Sequence, residues 1–99
     1  MKQEGILLLS VKFKTSLSKE ELIAVARERE PMFKAIPGIV QKYYLNYGDN
    51  EYGGVYVWDA KDSLTEFRQS ELAASIPAAY HVIGTPTIEV SEILFQLRD

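Results

Sequence analysis

Residues 41–58, QKYYLNYGDNEYGGVYVW, decide how this 99-residue chain is read. Tyr, Val and Trp crowd both sides of a polar Gly48-Asp49-Asn50-Glu51 turn, the composition of a β-hairpin with strands over about 39–47 and 53–58. Alternation puts Val40, Lys42, Tyr44 and Asn46 on one face of the first strand, with Ile39, Gln41, Tyr43, Leu45 and Tyr47 on the other. In the second strand Gly54, Tyr56 and Trp58 oppose Val55 and Val57. Apolar or aromatic groups therefore lie on both faces. A half-buried strand alternates apolar with polar, whereas a strand covered on both sides does not. A chain this short has too few helices to cover both, so a second chain is expected as the other cover. Gly53-Gly54 weakens the second strand unless the backbone there approaches something closely or bulges, and of the two a bulge is expected.

Upstream, GILLLSVKFK (5–14) reads as a first strand, most buried in its first half. Ser18 then caps a helix, with Glu21 placed to complete a capping box, and Leu22, Val25 and Ala26 form its apolar stripe. Pro31 is expected to end or kink that helix, with Met32, Phe33 and Ile36 as a short continuation before the Pro37-Gly38 turn. Downstream, Asp59 and Asp62 favour a second helix start, and Ala60, Leu64 and Phe67 give it an apolar face through about Ser70. Pro77 predicts another short helical turn. Gly84-Thr85-Pro86 is expected to break the chain before a final strand over 87–97, where Ile88 and Val90 oppose Ile93, Phe95 and Leu97. The order β-α-β-β-α-β predicts a single α+β domain over 1–99. Its expected architecture is ferredoxin-like, a four-stranded antiparallel sheet with the helices on one face. The bare face predicts a homodimer burying about 2,000 Å² or more.

Composition narrows the chemistry. Hydrophobic residues make up 46% and charged residues 25%, ordinary values for a globular protein. A net charge of −3 argues against a nucleic-acid partner, since backbone-reading proteins carry a clustered basic excess. The third strand also departs from the RNA-recognition signature, with Gly54 and Val57 where base-stacking aromatics belong. With no cysteine and one histidine, no metal site is expected. No phosphate-cradling loop or dinucleotide fingerprint is present, so no cofactor is expected either. The apolar run Ile6–Leu9 is too short to span a membrane and is not followed by a small-residue cleavage site. The expected location is the cytoplasm, with no membrane partner.

The aromatic sheet face admits two readings: ordinary core, or one wall of a pocket for a flat aromatic ligand between sheet and helices. Tyr44, Tyr56 and Trp58 are its candidates, with Lys42 on the same face of the second strand; Phe67, on the apolar face of the second helix, and Tyr80, in the irregular region after it, are further candidates. Arg68 could hold an anionic group or pair with Glu66 or Glu71. His81 is either a structural residue or a general base, as the one side chain here whose type titrates near neutral pH.

Pro31-x-Phe33, Pro37-Gly38-Ile39-x-x-Lys42-Tyr43-Tyr44, Glu51-Tyr52-Gly53-Gly54-Val55-Tyr56-x-Trp58-Asp59, Phe67-x-x-Ser70-Glu71-Leu72 and Ile76-Pro77-x-Ala79-Tyr80 together resemble the YdhR-like monooxygenases. These belong to the dimeric α+β barrel superfamily, beside the antibiotic-biosynthesis monooxygenases. The resemblance implies a homodimer whose sheets meet as a barrel. It also implies oxidation of phenolic or anthrone substrates without metal or flavin, with His81, Tyr44 and Tyr56 as catalytic candidates. Trp58, Lys42, Phe67, Arg68 and Tyr80 would then bind substrate. Haem degradation, known elsewhere in the superfamily, is not expected: Phe67 stands near the place of the required tryptophan, and the first strand has no asparagine. The expected function is cofactor-independent monooxygenation of a small aromatic or polycyclic phenol. The rival is a non-catalytic small-ligand-binding or stress-related homodimer.

Overall fold

In the computed structural model, which describes residues 5–98, the hairpin forms one half of a four-stranded sheet. The elements run β1 (Leu7–Thr15), α1 (Lys19–Lys34), β2 (Ile39–Gly48), β3 (Glu51–Trp58), α2 (Lys61–Arg68), α3 (Glu71–Ala74), α4 (Ile76–Ala79) and β4 (Val82–Glu92). The strand order is β2-β3-β1-β4, and every neighbouring pair is antiparallel. This is the ferredoxin-like α+β arrangement, with helices on one face. The ends of the expected 1–99 domain lie outside the described residues.

The β2–β3 turn is tight because Asp49 and Asn50 both take positive φ, 52° and 62°, a conformation these two residue types tolerate best after glycine. Around it β3 alternates strictly. Tyr52, Gly54, Tyr56 and Trp58 are buried towards the helices, while Val55 and Val57 are half-buried on the far face. The expectation of two fully covered faces is therefore met on one side only within a single chain.

Ser18 caps α1 as read: its Oγ accepts from Glu21 N–H at 3.1 Å, and Glu21 Oε1 accepts from Ser18 N–H at 2.9 Å. Pro31 does not end the helix, contrary to expectation; α1 runs unbroken to Lys34. Pro31 and Arg27 both lie on the exposed side, where water can serve the carbonyl that loses its donor. Ser70 caps α3 through Ala73 N–H, and Pro77 sits in the first turn of α4, where a missing donor costs nothing.

Three strand details also correct the sequence reading. The bulges lie in β2, between Ile39 and Gln41 and between Asn46 and Gly48, not at Gly53-Gly54. The first of them turns Ile39 to the helix side, opposite Trp58. Gly53 is needed because a Cβ there would collide with the Val11 carbonyl of β1. Finally, β4 starts and stops earlier than expected. Gly84-Thr85-Pro86 forms an irregularity within it, with Gly84 at φ 73°, and the strand ends at Glu92. Ile88 and Val90 pair with Val11 and Leu9 on the helix side, while Leu94, Phe95 and Leu97 follow the strand and are more than 80% exposed.

Candidate active site

The centre of the molecule is an aromatic cluster built by two periodicities. The period-two pattern of β3 sends Tyr56 and Trp58 towards α2, whose Leu64 and Phe67, three apart, face back. Tyr56 stacks on Trp58 with centroids 6.2 Å apart and planes 6° from parallel, and Phe67 closes the triangle at 5.4 and 5.3 Å. Phe33 of α1 adds a fourth ring, 6.2 Å from Tyr56. Trp58 is 0% exposed and its indole N–H has no partner, so it acts as a wall behind the cluster. Burying such rings contributes roughly 1.5–3 kcal/mol each, which makes the cluster a rigid support.

Tyr56 is shared by two hollows on the helix side. The larger, about 230 Å³, lies where α2 to α4 leave β4 uncovered. Tyr56, Phe67, Ile76, Pro77 and Ile88 give it apolar walls, and Arg68 is the one charged residue in its lining. Arg68 itself is exposed, at the mouth. Burial first, and then the neighbouring Tyr80 and Tyr44, push the Tyr56 hydroxyl's pKa well above that of an ordinary tyrosine, while Arg29 opposes the shift. At neutral pH Tyr56 is therefore a proton donor and not a base.

The smaller hollow, about 20 Å³, has room for one water and sits over Gly54 among Lys42, Tyr44, Tyr52, Tyr56 and Tyr80. Lys42 points its ammonium into a ring cup: Nζ lies 3.6 Å from the centroid of Phe33, 4.4 Å from Tyr56 and 4.5 Å from Tyr44. Burial, aided by the like charge of Arg29, lowers the Lys42 pKa to about 7. The Tyr80 phenol is pushed up to about 12 by burial and then by Tyr44, with Arg29 opposing. Tyr80 is held by Phe13, 5.6 Å away between ring centroids, and its carbonyl accepts from Thr15 Oγ1 at 2.6 Å.

The structure thus gathers Tyr56, Phe67 and Arg68 around one hollow, and Lys42, Tyr44 and Tyr80 around the other. Trp58 supports both without lining either. His81 lines neither. It is exposed, follows α4 with φ 48°, and donates its N–H to Ala78 O at 3.3 Å, the geometry of a helix-ending residue. Arg29 is the residue that the sequence reading missed. Its Nη2 donates to Ser75 Oγ at 2.8 Å and to Leu72 O at 3.4 Å, and its guanidinium carbon lies 6.0 Å from the ring centroids of both Phe33 and Tyr80. The signal was present: Leu22, Ala26, Arg29 and Phe33 are spaced 4, 3 and 4, which places a cation in the buried stripe of α1.

Among the described residues no three His, Asp or Glu side chains gather as a metal-binding group. No helix among them is long and apolar enough to cross a membrane.

No family model matches the chain, and no curated protein is significantly similar to it. Solved structures do share its fold. NE2512 of Nitrosomonas europaea, a protein of unknown function, has a TM-score of 0.76 at 17% identity, over 99% of this chain and 98% of that one. A Caulobacter crescentus protein grouped with the antibiotic biosynthesis monooxygenases has a TM-score of 0.74 at 17% identity, over 93% and 92%. A variant of SnoaB, a cofactor-independent oxygenase from Streptomyces nogalater, has a TM-score of 0.73 at 19% identity, over 99% and 100%. At these identities the likeness is one of fold: the same α+β architecture, with an antiparallel sheet and helices on one side.

Proposed function

We propose that this protein is a cofactor-independent monooxygenase of a small aromatic phenol, a YdhR-like homodimer with the hollow beside β4 as its active site. The observation that carries the reading is an apolar hollow of about 230 Å³ with a protonated tyrosine in its wall and a lone cation at its mouth. Its volume falls below that of most ligand sites, which run from roughly 300 Å³ upward, so one to three fused rings are the fitting size.

A naphthol illustrates the chemistry. Its rings lie against Phe67 and Tyr56, and Arg68 favours the phenolate over the phenol. The proton leaves to solvent at the mouth. The phenolate carries electron density on its ring carbons and passes one electron to oxygen. The radical pair combines to a carbon–oxygen bond, the peroxide takes a proton back from solvent, and the hydroperoxide sheds water with the ring hydrogen. Naphthol and oxygen thus become naphthoquinone and water, with no external reductant. Apolar walls keep water from the radical pair.

An oxygen electrode with naphthol and anthrone tests this. Uptake is expected to rise with pH as the substrate ionises. Arg68→Gln should lower the rate by up to about 5-fold, less than the loss of a buried oxyanion donor because Arg68 is exposed. His81→Ala should stay within about twofold of wild type, as an exposed residue away from the hollow should. A fall of roughly 10²-fold in that variant would instead make His81 the base.

The exposure of Arg68 also favours the non-catalytic rival, because a solvated cation stabilises an anion little. In that case the phenols would quench Trp58, the sole tryptophan, with no oxygen consumed.

A further inference from the structure

A third hollow, about 290 Å³, opens at the β2 edge, on the other side of the molecule's aromatic centre from β4. Phe33 and Ile36 line it from the α1 end, Ile39, Lys42 and Tyr44 from β2. The Lys42 ammonium has rings on three sides, at 3.6, 4.4 and 4.5 Å, and no carboxylate within ion-pair distance among the described residues. Glu30, the acid in the lining, is engaged elsewhere: its carboxylate lies 2.9 Å from Arg27 Nη1 and 3.9 Å from Lys34 Nζ. The charge that acts on Lys42 is Arg29, held by Ser75 and Leu72 and of the same sign. A lysine packed against apolar surface beside a second cation sheds its proton readily and becomes a nucleophile.

We propose that Lys42 is a carbonyl-reactive amine and that the β2-edge hollow takes an aromatic aldehyde, held as an imine on Nζ against Phe33, Tyr44 and Tyr56. The Nζ lone pair attacks the carbonyl carbon, forming a carbon–nitrogen bond, and the oxygen takes up a proton. The carbinolamine then loses its hydroxyl as water and a proton from nitrogen, leaving the C=N bond. No redox partner is needed. Tyr44 is the neighbouring acid, kept protonated by burial and by the charge of Glu30, with Arg27 and Arg29 opposing. The rings supply stacking surface for an aromatic aldehyde.

The groups facing Lys42 act in opposed directions. Burial and Arg29 lower its pKa to about 7. The π faces of Phe33, Tyr44 and Tyr56 favour the ammonium. Glu30 and Lys34 of α1 line the outer part of the hollow with charges of opposite sign, and Tyr80 lies on the far side of Tyr44, uncharged at neutral pH. The amine is therefore poised close to half protonation in neutral solution.

The test is reductive trapping. The full-length chain is incubated with benzaldehyde and cyanoborohydride across pH 6 to 10, and each lysine's modification is read by peptide mass mapping. Lys42 should be labelled at pH 7 at least about 10-fold faster than the other lysines, as a desolvated amine that sheds its proton readily should. The pH midpoint for Lys42 labelling should lie near 7 and should move upward in Arg29→Met. Even labelling across the lysines, or protection of Lys42, would overturn the proposal, and both are read on the wild-type chain without any variant. Oxygen uptake with naphthol plays no part in this readout, so the failure of either proposal is seen separately from the other.

Discussion

At the residue scale, the glycine pair shows what a sequence carries and what it hides. Gly53-Gly54 marks a backbone requirement legibly, yet bulge and close approach write the same two letters. Only the pairing register separates them, by placing Gly53 against the Val11 carbonyl while the bulges fall in β2. Gly53→Ala should therefore destabilise the fold by about 1–3 kcal/mol, as overpacking does, read as a lower urea midpoint. An unchanged midpoint would mean that β1 and β3 do not approach so closely there. His81 carries the opposite lesson. As a lone histidine it invites a catalytic reading, but its left-handed backbone and exposure are those of a residue ending α4. No sequence spacing reports that. Arg29 was readable from its place in the α1 stripe, because helical periodicity fixes the face even when the residue type is unexpected.

At the element scale, the alternation of β3 announced the aromatic cluster, and the Ser18 capping box announced α1. The end of β4 was not legible, since TIEVSEILFQL continues the β pattern past Glu92 while pairing with β1 stops there. The continuation of α1 through Pro31 was hidden for another reason. Proline's cost depends on whether the carbonyl it strands can reach water, which is a property of the packed helix. Lys42 on β2 offers a direct test of this layer. Its pKa is about 7 when folded and about 10.4 when unfolded, so between those values the unfolded chain binds more protons. Stability from this residue must then rise with pH from about 7 to 10.4. Tyr56 and Tyr80 act in the reverse sense: their raised values contribute stability that is present below about 10 and lost above it. Urea unfolding should show maximal stability near pH 9 to 10. Lys42→Met, which keeps the cup filled, should flatten the rise above pH 7 and be the more stable protein at neutral pH. A wild-type stability independent of pH between 7 and 9 would refute the desolvated lysine.

At the scale of the whole molecule, the far face of the sheet is free of helices and carries Leu8, Leu45, Val55 and Val57 half-exposed, with Tyr43 and Ile83 each 56% exposed. The tail beyond β4 adds Leu94, Phe95 and Leu97, almost fully in water. So much apolar surface is unusual for a monomer, and it supports the proposed homodimer through that face. Light scattering at micromolar concentration should give twice the chain mass, and Val55→Lys with Leu45→Lys should give the single chain. A wild-type monomer would contradict it. The element order and the bare face were both readable from the hairpin outward, because they follow from periodicity and chain length alone. The β4-side hollow was not, since it exists only where three short helices fail to reach the last strand, a matter of how far each element extends. That hollow is where the protein is proposed to insert oxygen into a small phenol. Turnover of naphthol under heavy-isotope oxygen tests it most directly. Naphthoquinone should carry one heavy oxygen atom, the other appearing in water, with no metal or flavin added. Quinone lacking the heavy isotope, or no quinone from a phenol that demonstrably binds, would contradict it.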